Sequence, residues 1–460
     1  MLSRHAAVLP CRCKSSATRA IAGVCIRPAS VARNPRRTYV SAVNPPVTKV
    51  EKILGDAIKA AGPVSFATYM QMCLSHPTQG YYMNPSHPVF GSKGDFTTSP
   101  EISQVFGELV GIWLLSQWMH AGNGRPIRLV ELGPGRGTLV HDVLRVLSQF
   151  PAAHTAIREI QLIETSSAMR SRQEDKLSGI AQQQGWKLEW NSSLNEISSD
   201  PSAFTMILAH EFFDALPFHL IQRTQQGWRE VLIAANPDTF VPTDKRPLLD
   251  FTTTSPPPPT ALAKAPARFH RVLAPEPDPS ALLLSQSSPR YTSLPVGSQV
   301  EVSPAAFKIA RRIGELVRDP ENAKDRSAGC ALIVDYGGEK AYGSSFRAFK
   351  DHKIVDVFHR PGECDLTVNV DFAYLKEAVR DIALPLGPLS QAAFLTRMGL
   401  QARVEALKKA SSDAERKADI ERAARRLVDL TGMGGQYQVM GVVGVREPGP
   451  SDEELWPFVK

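Results

Sequence analysis

Glu131-Leu132-Gly133-Pro134-Gly135-Arg136-Gly137 stands between a short apolar run at residues 127–131 and an amphipathic stretch at about 138–150. A short apolar run closed by a glycine-rich turn reads as a buried strand, and the helical periodicity after it reads as a helix. Outward from this unit the pattern repeats, with a strand at 160–164, a helix at 168–184, and further strands at 205–209, 331–335 and 437–443. Helical spacing recurs at 305–317, 372–382 and 403–430. Strands alternating with helices predict a parallel sheet covered on both faces, an α/β fold of the Rossmann-like kind. Ile221 and residues 231–233 flank a Gln225-Gln226-Gly227 turn and read as a hairpin. Ahead of the series, Val50, Leu54, Ile58 and Ala61 are spaced as on a helix, and a second apolar segment spans 66–74. Ser99-Pro100-Glu101 has the cap, first-position proline and acidic first turn that predict one long helix to about His120.

The loop residues have a chemical logic. Gly133, Gly135 and Gly137 permit positive φ and let a ligand approach the backbone, while Glu131 suits an ammonium or a ribose hydroxyl. The next strand ends in Glu164, whose carboxylate suits a ribose diol. A dinucleotide fingerprint would read Gly-x-Gly-x-x-Gly; here the third glycine comes one residue early, and Glu131 would repel a phosphate. S-adenosylmethionine, a nucleoside sulfonium without phosphate, is the expected ligand, against a tight turn that binds nothing.

Ligands of open α/β sheets sit beyond the carboxyl ends of the strands. There the 205–209 strand delivers His210-Glu211-Phe212-Phe213-Asp214-Ala215-Leu216-Pro217. Glu211 and Asp214, flanked by aromatics, suit a nitrogen nucleophile, because carboxylates bind guanidinium in fork geometry and can take up positive charge as a methyl arrives. The plainer reading is that the two acids cap the next helix and that His210 is a satisfied edge histidine.

Charge divides the chain. Residues 1–50 hold seven Arg, two Lys and no acid, so their +9 within a total of +7 leaves −2 for the rest. A nucleic-acid-binding body is disfavoured. The Arg-rich, acid-free leader has the composition of a mitochondrial transit peptide. Cys73, Cys330 and Cys364 lie far apart outside it, with no metal-ligand spacing. No apolar run reaches the roughly 20 residues of a membrane-spanning helix. Residues 252–295, dense in Pro, Ser, Thr and Ala, predict a long insertion, much of it disordered, in which 271–274 and 281–284 are short enough to pair with a sheet. The expected organisation is a leader at 1–40, a helical region and donor-site cover at 41–124, a catalytic domain at 125–445, and a tail at 446–460.

Gly80-Tyr81-Tyr82, Gly94-Asp95-Phe96 through Phe106-Gly107-Glu108, the loop from Glu131 to Thr138, Glu211 through Pro217, Asp335-Tyr336-Gly337, and Pro361-Gly362 through Asp371-Phe372 together resemble the MidA family of mitochondrial complex I assembly methyltransferases. The resemblance spans about residues 50–445. It implies a class I methyltransferase fold with added N- and C-terminal helices, the mitochondrial matrix, and type II activity, symmetric dimethylation of an arginine on the 49 kDa subunit of complex I early in assembly. By position it implies donor contacts for Gly133, Gly135 and Gly137, ribose binding for Glu164, a cover containing Asp95 and Phe96, and an acceptor side at Glu211 and Asp214. His210 departs from the family's usual Asn. A donor-binding assembly chaperone and a small-molecule methyltransferase are the alternatives.

Overall fold

The computed structural model of the 460-residue chain describes residues 46–84, 97–122, 124–240, 267–318, 328–445 and 449–459. The leader at 1–40 and residues 252–266 of the Pro-rich run lie outside the described residues.

The glycine loop grows from Ile127–Leu132, an inner strand of the main sheet. Across the sheet the strands run Ala383–Ser390, Tyr437–Gly444, Gly329–Gly338, Phe204–His210, Ile127–Leu132, Ile157–Ile163, Lys187–Asn191, with the short Val370–Asp371 beside Gly338. Tyr437–Gly444 alone runs antiparallel to its neighbours. The sheet divides two apolar cores, and strand alternation assigns residues to each. Leu129, Met206, Leu208, Cys330 and Leu332 face one core, and Val130, Ile207, Ala209, Ala331 and Ile333 the other. Because both faces are covered, these strands read as continuous apolar runs. Chain order reverses between Ile127–Leu132 and Phe204–His210, and the carboxyl ends of these two neighbours open the crevice where open sheets bind ligands.

Between Phe204–His210 and Gly329–Gly338 the chain leaves the main sheet and builds a second, five-stranded one around the hairpin His219–Thr224 and Gly227–Ala235. The N-terminal helices Lys49–Ala61 and Phe66–Ser75 do not form a region apart: Leu54, Phe66 and Tyr69 share a core with Phe218 and Phe269 of this sheet. A three-stranded sheet of Lys353–Val355, Arg347–Lys350 and Asp365–Thr367 stands beside them.

Three expectations change. The helix expected from Ser99 is two, Ser99–Ile102, which starts after Thr98 without a side-chain cap, and Gln104–His120 capped at Ser103, whose hydroxyl accepts from the Val105 amide at 3.3 Å. Serine offers the backbone that alternative to an unbroken helix. The stretch expected at 403–430 likewise divides into Leu400–Ala410 and Ala414–Val428, where Asp413 caps Glu415 at 3.0 Å. The described part of the Pro-rich insertion is folded. Phe269–Leu273 pairs with Gly227–Ala235, while the piece expected at 281–284 lies in the helix Pro279–Gln286, started by Asp278 and Pro279.

Candidate active site

The loop after Ile127–Leu132 holds Gly133, Gly135 and Gly137 at φ of 61°, 53° and 73°, left-handed values that side chains disfavour. A Cβ on Gly133 would also meet the Phe212 ring at 2.9 Å, so the loop approaches the acid edge as closely as its backbone permits. Gly133 and Gly135 line a cavity of about 780 Å³ with Glu164, Glu211 and Asp214. Gly137 lines neither this cavity nor its neighbour. It caps the helix Thr138–Leu147, and its part is conformational.

Two acids serve the loop differently. Glu164 follows Ile157–Ile163 and lines the main cavity, its carboxylate accepting from the Ser166 amide at 2.7 Å and the Gln173 side chain at 3.2 Å. The same Gln173 amide donates to the Gly135 carbonyl at 2.8 Å, and its oxygen accepts from the Trp190 indole at 2.8 Å. A buried glutamine thus locks loop and acid together. Glu131 turns inward: its carboxylate accepts from the Val140 amide at 3.1 Å, and burial pushes its pKa up to about 8. It lines a small adjoining recess with Gly133, Gly135, His210 and Glu211 rather than the main cavity. Asp95 and Phe96 lie outside the described residues.

Across the crevice, Glu211 sits at φ 50°, a left-handed value uncommon outside glycine. The cause lies beneath it. Asp335, fully buried, accepts the amides of Phe212, Phe213 and Asp214 on one oxygen at 3.2, 2.9 and 3.3 Å, gathering the chain into a tight turn. The turn presents Glu211 to the Tyr437 hydroxyl and Asp214 to the Thr367 hydroxyl, the latter at 2.7 Å. The Tyr82 hydroxyl donates to Asp365 at 2.7 Å, and Tyr82, Tyr336 and Asp365 complete the cavity wall. Burial, then Asp214 and Asp365 nearby, push Glu211 up to about 8. Burial also raises Asp214 to about 6, against the Thr367 hydrogen bond and the Arg347 guanidinium, and Asp335 is raised by burial and by both acids. Such a cluster favours a cation that would let the acids ionise. His210 is held neutral, its pKa pushed down to about 3 by burial between Phe106 and Tyr437. Its Nε2 has no hydrogen-bond partner among the described residues.

Sequence reasoning singled out Glu211 and Asp214 but gave no role to Gln173, Asp335, Asp365, Thr367 or Tyr437. Asp335-Tyr336 and Asp365-Leu366-Thr367 were visible as acids at strand ends and turns. Gln173 and Tyr437 carried no local signal.

A glycine loop, an acid just past the next strand and a topological switch on the loop's other side, between Ile127–Leu132 and Phe204–His210, define a Rossmann-like class I fold. Residues 109–388 match the family model described as putative S-adenosyl-L-methionine-dependent methyltransferase. The mitochondrial protein arginine methyltransferase NDUFAF7 of Danio rerio is 36% identical over 411 residues, 85% of this chain and 86% of that one. The human protein of the same name is 33% identical, covering 86% and 84%. A Burkholderia thailandensis protein crystallised with S-adenosyl-homocysteine superposes with a TM-score of 0.67 at 22% identity, covering 89% of this chain and 95% of that one, and shares the fold. The chain belongs to the MidA family of S-adenosylmethionine-dependent methyltransferases, to which the relatives named protein arginine methyltransferase NDUFAF7 also belong. Its curated relatives are mitochondrial, and so is the protein.

Proposed function

We propose that the protein is an arginine N-methyltransferase of the mitochondrial matrix, symmetrically dimethylating an arginine on the 49 kDa subunit of complex I during early assembly. The observation that carries the arginine reading is the cluster of Glu211, Asp214 and Asp365, three carboxylates brought together in one cavity wall beside the glycine loop, with burial raising Glu211. The subunit, the matrix and the symmetry of methylation rest on the family resemblance.

Gly133 and Gly135 would hold the donor, with Glu164 on its ribose and Gly137 setting the loop. Glu131 braces the loop from the helix side, and Asp95 and Phe96 are assigned to its cover by the resemblance. S-adenosylmethionine supplies an electrophilic methyl group on a sulfonium. Glu211 and Asp214 accept N–H groups of the guanidinium, fix one nitrogen toward the loop, and exclude the competing water. Seating the cation ionises Glu211. The new N–C bond would replace the methyl's bond to sulfur, leaving the neutral thioether S-adenosylhomocysteine, and one guanidinium N–H proton would have to leave; a carboxylate whose pKa burial has raised is suited to receive it. Tyr437 holds that carboxylate in place.

Mass spectrometry of the 49 kDa subunit from cells lacking the protein tests this reading. A dimethylarginine present in wild-type cells is expected to vanish, and its persistence would overturn the assignment. Complementation with the double variant Glu211→Ala, Asp214→Ala separates enzyme from chaperone: full complex I assembly on an unmethylated subunit would favour the chaperone.

A further inference from the structure

A second hollow, of about 660 Å³, shares Tyr336 as a wall with the acid-lined cavity. One flank is the hairpin of Arg347–Lys350 and Lys353–Val355, closed by Asp351 and His352 at φ of 49° and 59°. Two left-handed residues make the tight turn that keeps such a ribbon stiff. The other flank is Arg426, late in the helix Ala414–Val428, with Met433 and Gln436 beyond it.

The two hollows differ in charge balance. In the first, five acids, Glu211, Asp214 and Asp365 among them, outnumber three cations, Lys308, Arg311 and Arg312, whereas the second takes Arg347, His352 and Arg426 and no acid among its described lining. Arg426 is exposed and makes no ion pair among the described residues, while its neighbour Arg425 is committed to Glu421. Ile354 is 71% exposed on Lys353–Val355, the outer strand of its three-stranded sheet. An outer strand offers backbone groups to any extended chain laid beside it. The Arg347 guanidinium, 5.5 Å from the centre of the Tyr336 ring, stands where the hollows meet.

We infer that the second hollow seats the polypeptide around the acceptor arginine, selecting an extended protein segment with acidic side chains near that arginine. The segment runs along the edge of Lys353–Val355, sets a carboxylate on Arg426, and sends its arginine past Tyr336 to Glu211 and Asp214. This rests on the arginine methyltransferase reading and adds what must flank the arginine.

Two synthetic peptides test it, each with one central arginine, the first flanked by glutamates and the second by lysines, titrated into the full chain with S-adenosylhomocysteine present. Wild type is expected to hold the glutamate peptide about fivefold more tightly. Arg426→Glu is expected to reverse the order, and Ile354→Asp to weaken both peptides. The reversal also reports folding, because a misfolded variant would bind neither. Equal affinities in wild type, or an Arg426→Glu protein that keeps the original preference, would overturn the inference. Charge-selective binding, with no methyl transfer to either peptide once S-adenosylmethionine replaces S-adenosylhomocysteine, would instead overturn the arginine reading and leave the groove standing. A wild-type protein that binds neither peptide would overturn both.

Discussion

The glycine loop and the acid edge face each other from neighbouring strands, and they are built by opposite means. The loop is local: residues 131–137, one turn of helix start and the next strand's last acid make it, and its specificity lies in backbone conformation at three glycines. The acid edge is gathered from afar: Tyr82 follows the second N-terminal helix, Glu211, Asp214 and Tyr336 come from strands of the main sheet or their ends, and Asp365 comes from the three-stranded sheet. The loop has relaxed conformations for the residues it uses. The acid edge keeps carboxylates buried together and a non-glycine residue at positive φ, strain of the kind active sites store. On the proposed reading, a region for an invariant donor is fixed by backbone, and a region for a cation keeps an acid protonated by burial and by its neighbours until the cation comes.

Experiments can break that contrast. The largest effect is expected from Gly135→Val, which forces a β-branched residue into φ 53° and fills the donor's approach. Calorimetry with S-adenosylhomocysteine should show no binding, and retained affinity would make the loop an ordinary turn. Next, Glu211→Gln should lower kcat by about a hundredfold or more while leaving donor affinity near wild type. Parallel loss of donor binding would erase the division of labour between the two regions.

The pH dependence follows from the same residue. A carboxylate raised from 4.5 to about 8 binds its proton more tightly folded than unfolded. Its contribution to stability is therefore complete below pH 4.5 and is lost as pH rises through 8. The Tm of the donor-free protein should fall across that window, and Glu211→Gln should flatten the fall. In the same window a guanidinium must displace the proton, so the acceptor KM should drop by up to about tenfold per pH unit. A KM independent of pH in wild type would remove Glu211 from the acceptor side. The smallest effect belongs to Gln173→Leu, which frees loop and acid from one another. Donor Kd should weaken by about five- to tenfold with kcat preserved, and an unchanged Kd would mean that the glycines set the loop without help.

What was legible in the sequence follows the same divide. Short-range grammar announced the strand, the turn and the helix around Gly133, and strands buried on both faces were readable as apolar runs. Helix breaks at Ser103 and Asp413 were missed because a capping side chain competes with helix continuation through one local hydrogen bond, which leaves the apolar periodicity on either side unchanged. The edge strand Ala383–Ser390, with two prolines and a bulge, lacks any clean alternation. Glu211 and Asp214 announced themselves by standing at a strand end. Asp335 looked like one more strand-end acid, because its three amide partners lie more than 120 residues away. Tyr437 opens a strand that reads as core, and only the fold brings its hydroxyl to Glu211.

Asp335 and Tyr336 are consecutive in one strand, paired with Gln438 and Tyr437 in the neighbouring one. Successive residues of a strand face opposite ways, so one peptide unit sends a carboxylate under the Glu211 turn and a ring into the wall between two hollows. A slip of one residue between Gly329–Gly338 and Tyr437–Gly444 would exchange the two and disable both at once. Strand register at this dipeptide is therefore an all-or-none proofreading point: no partly misaligned chain can keep one hollow working without the other.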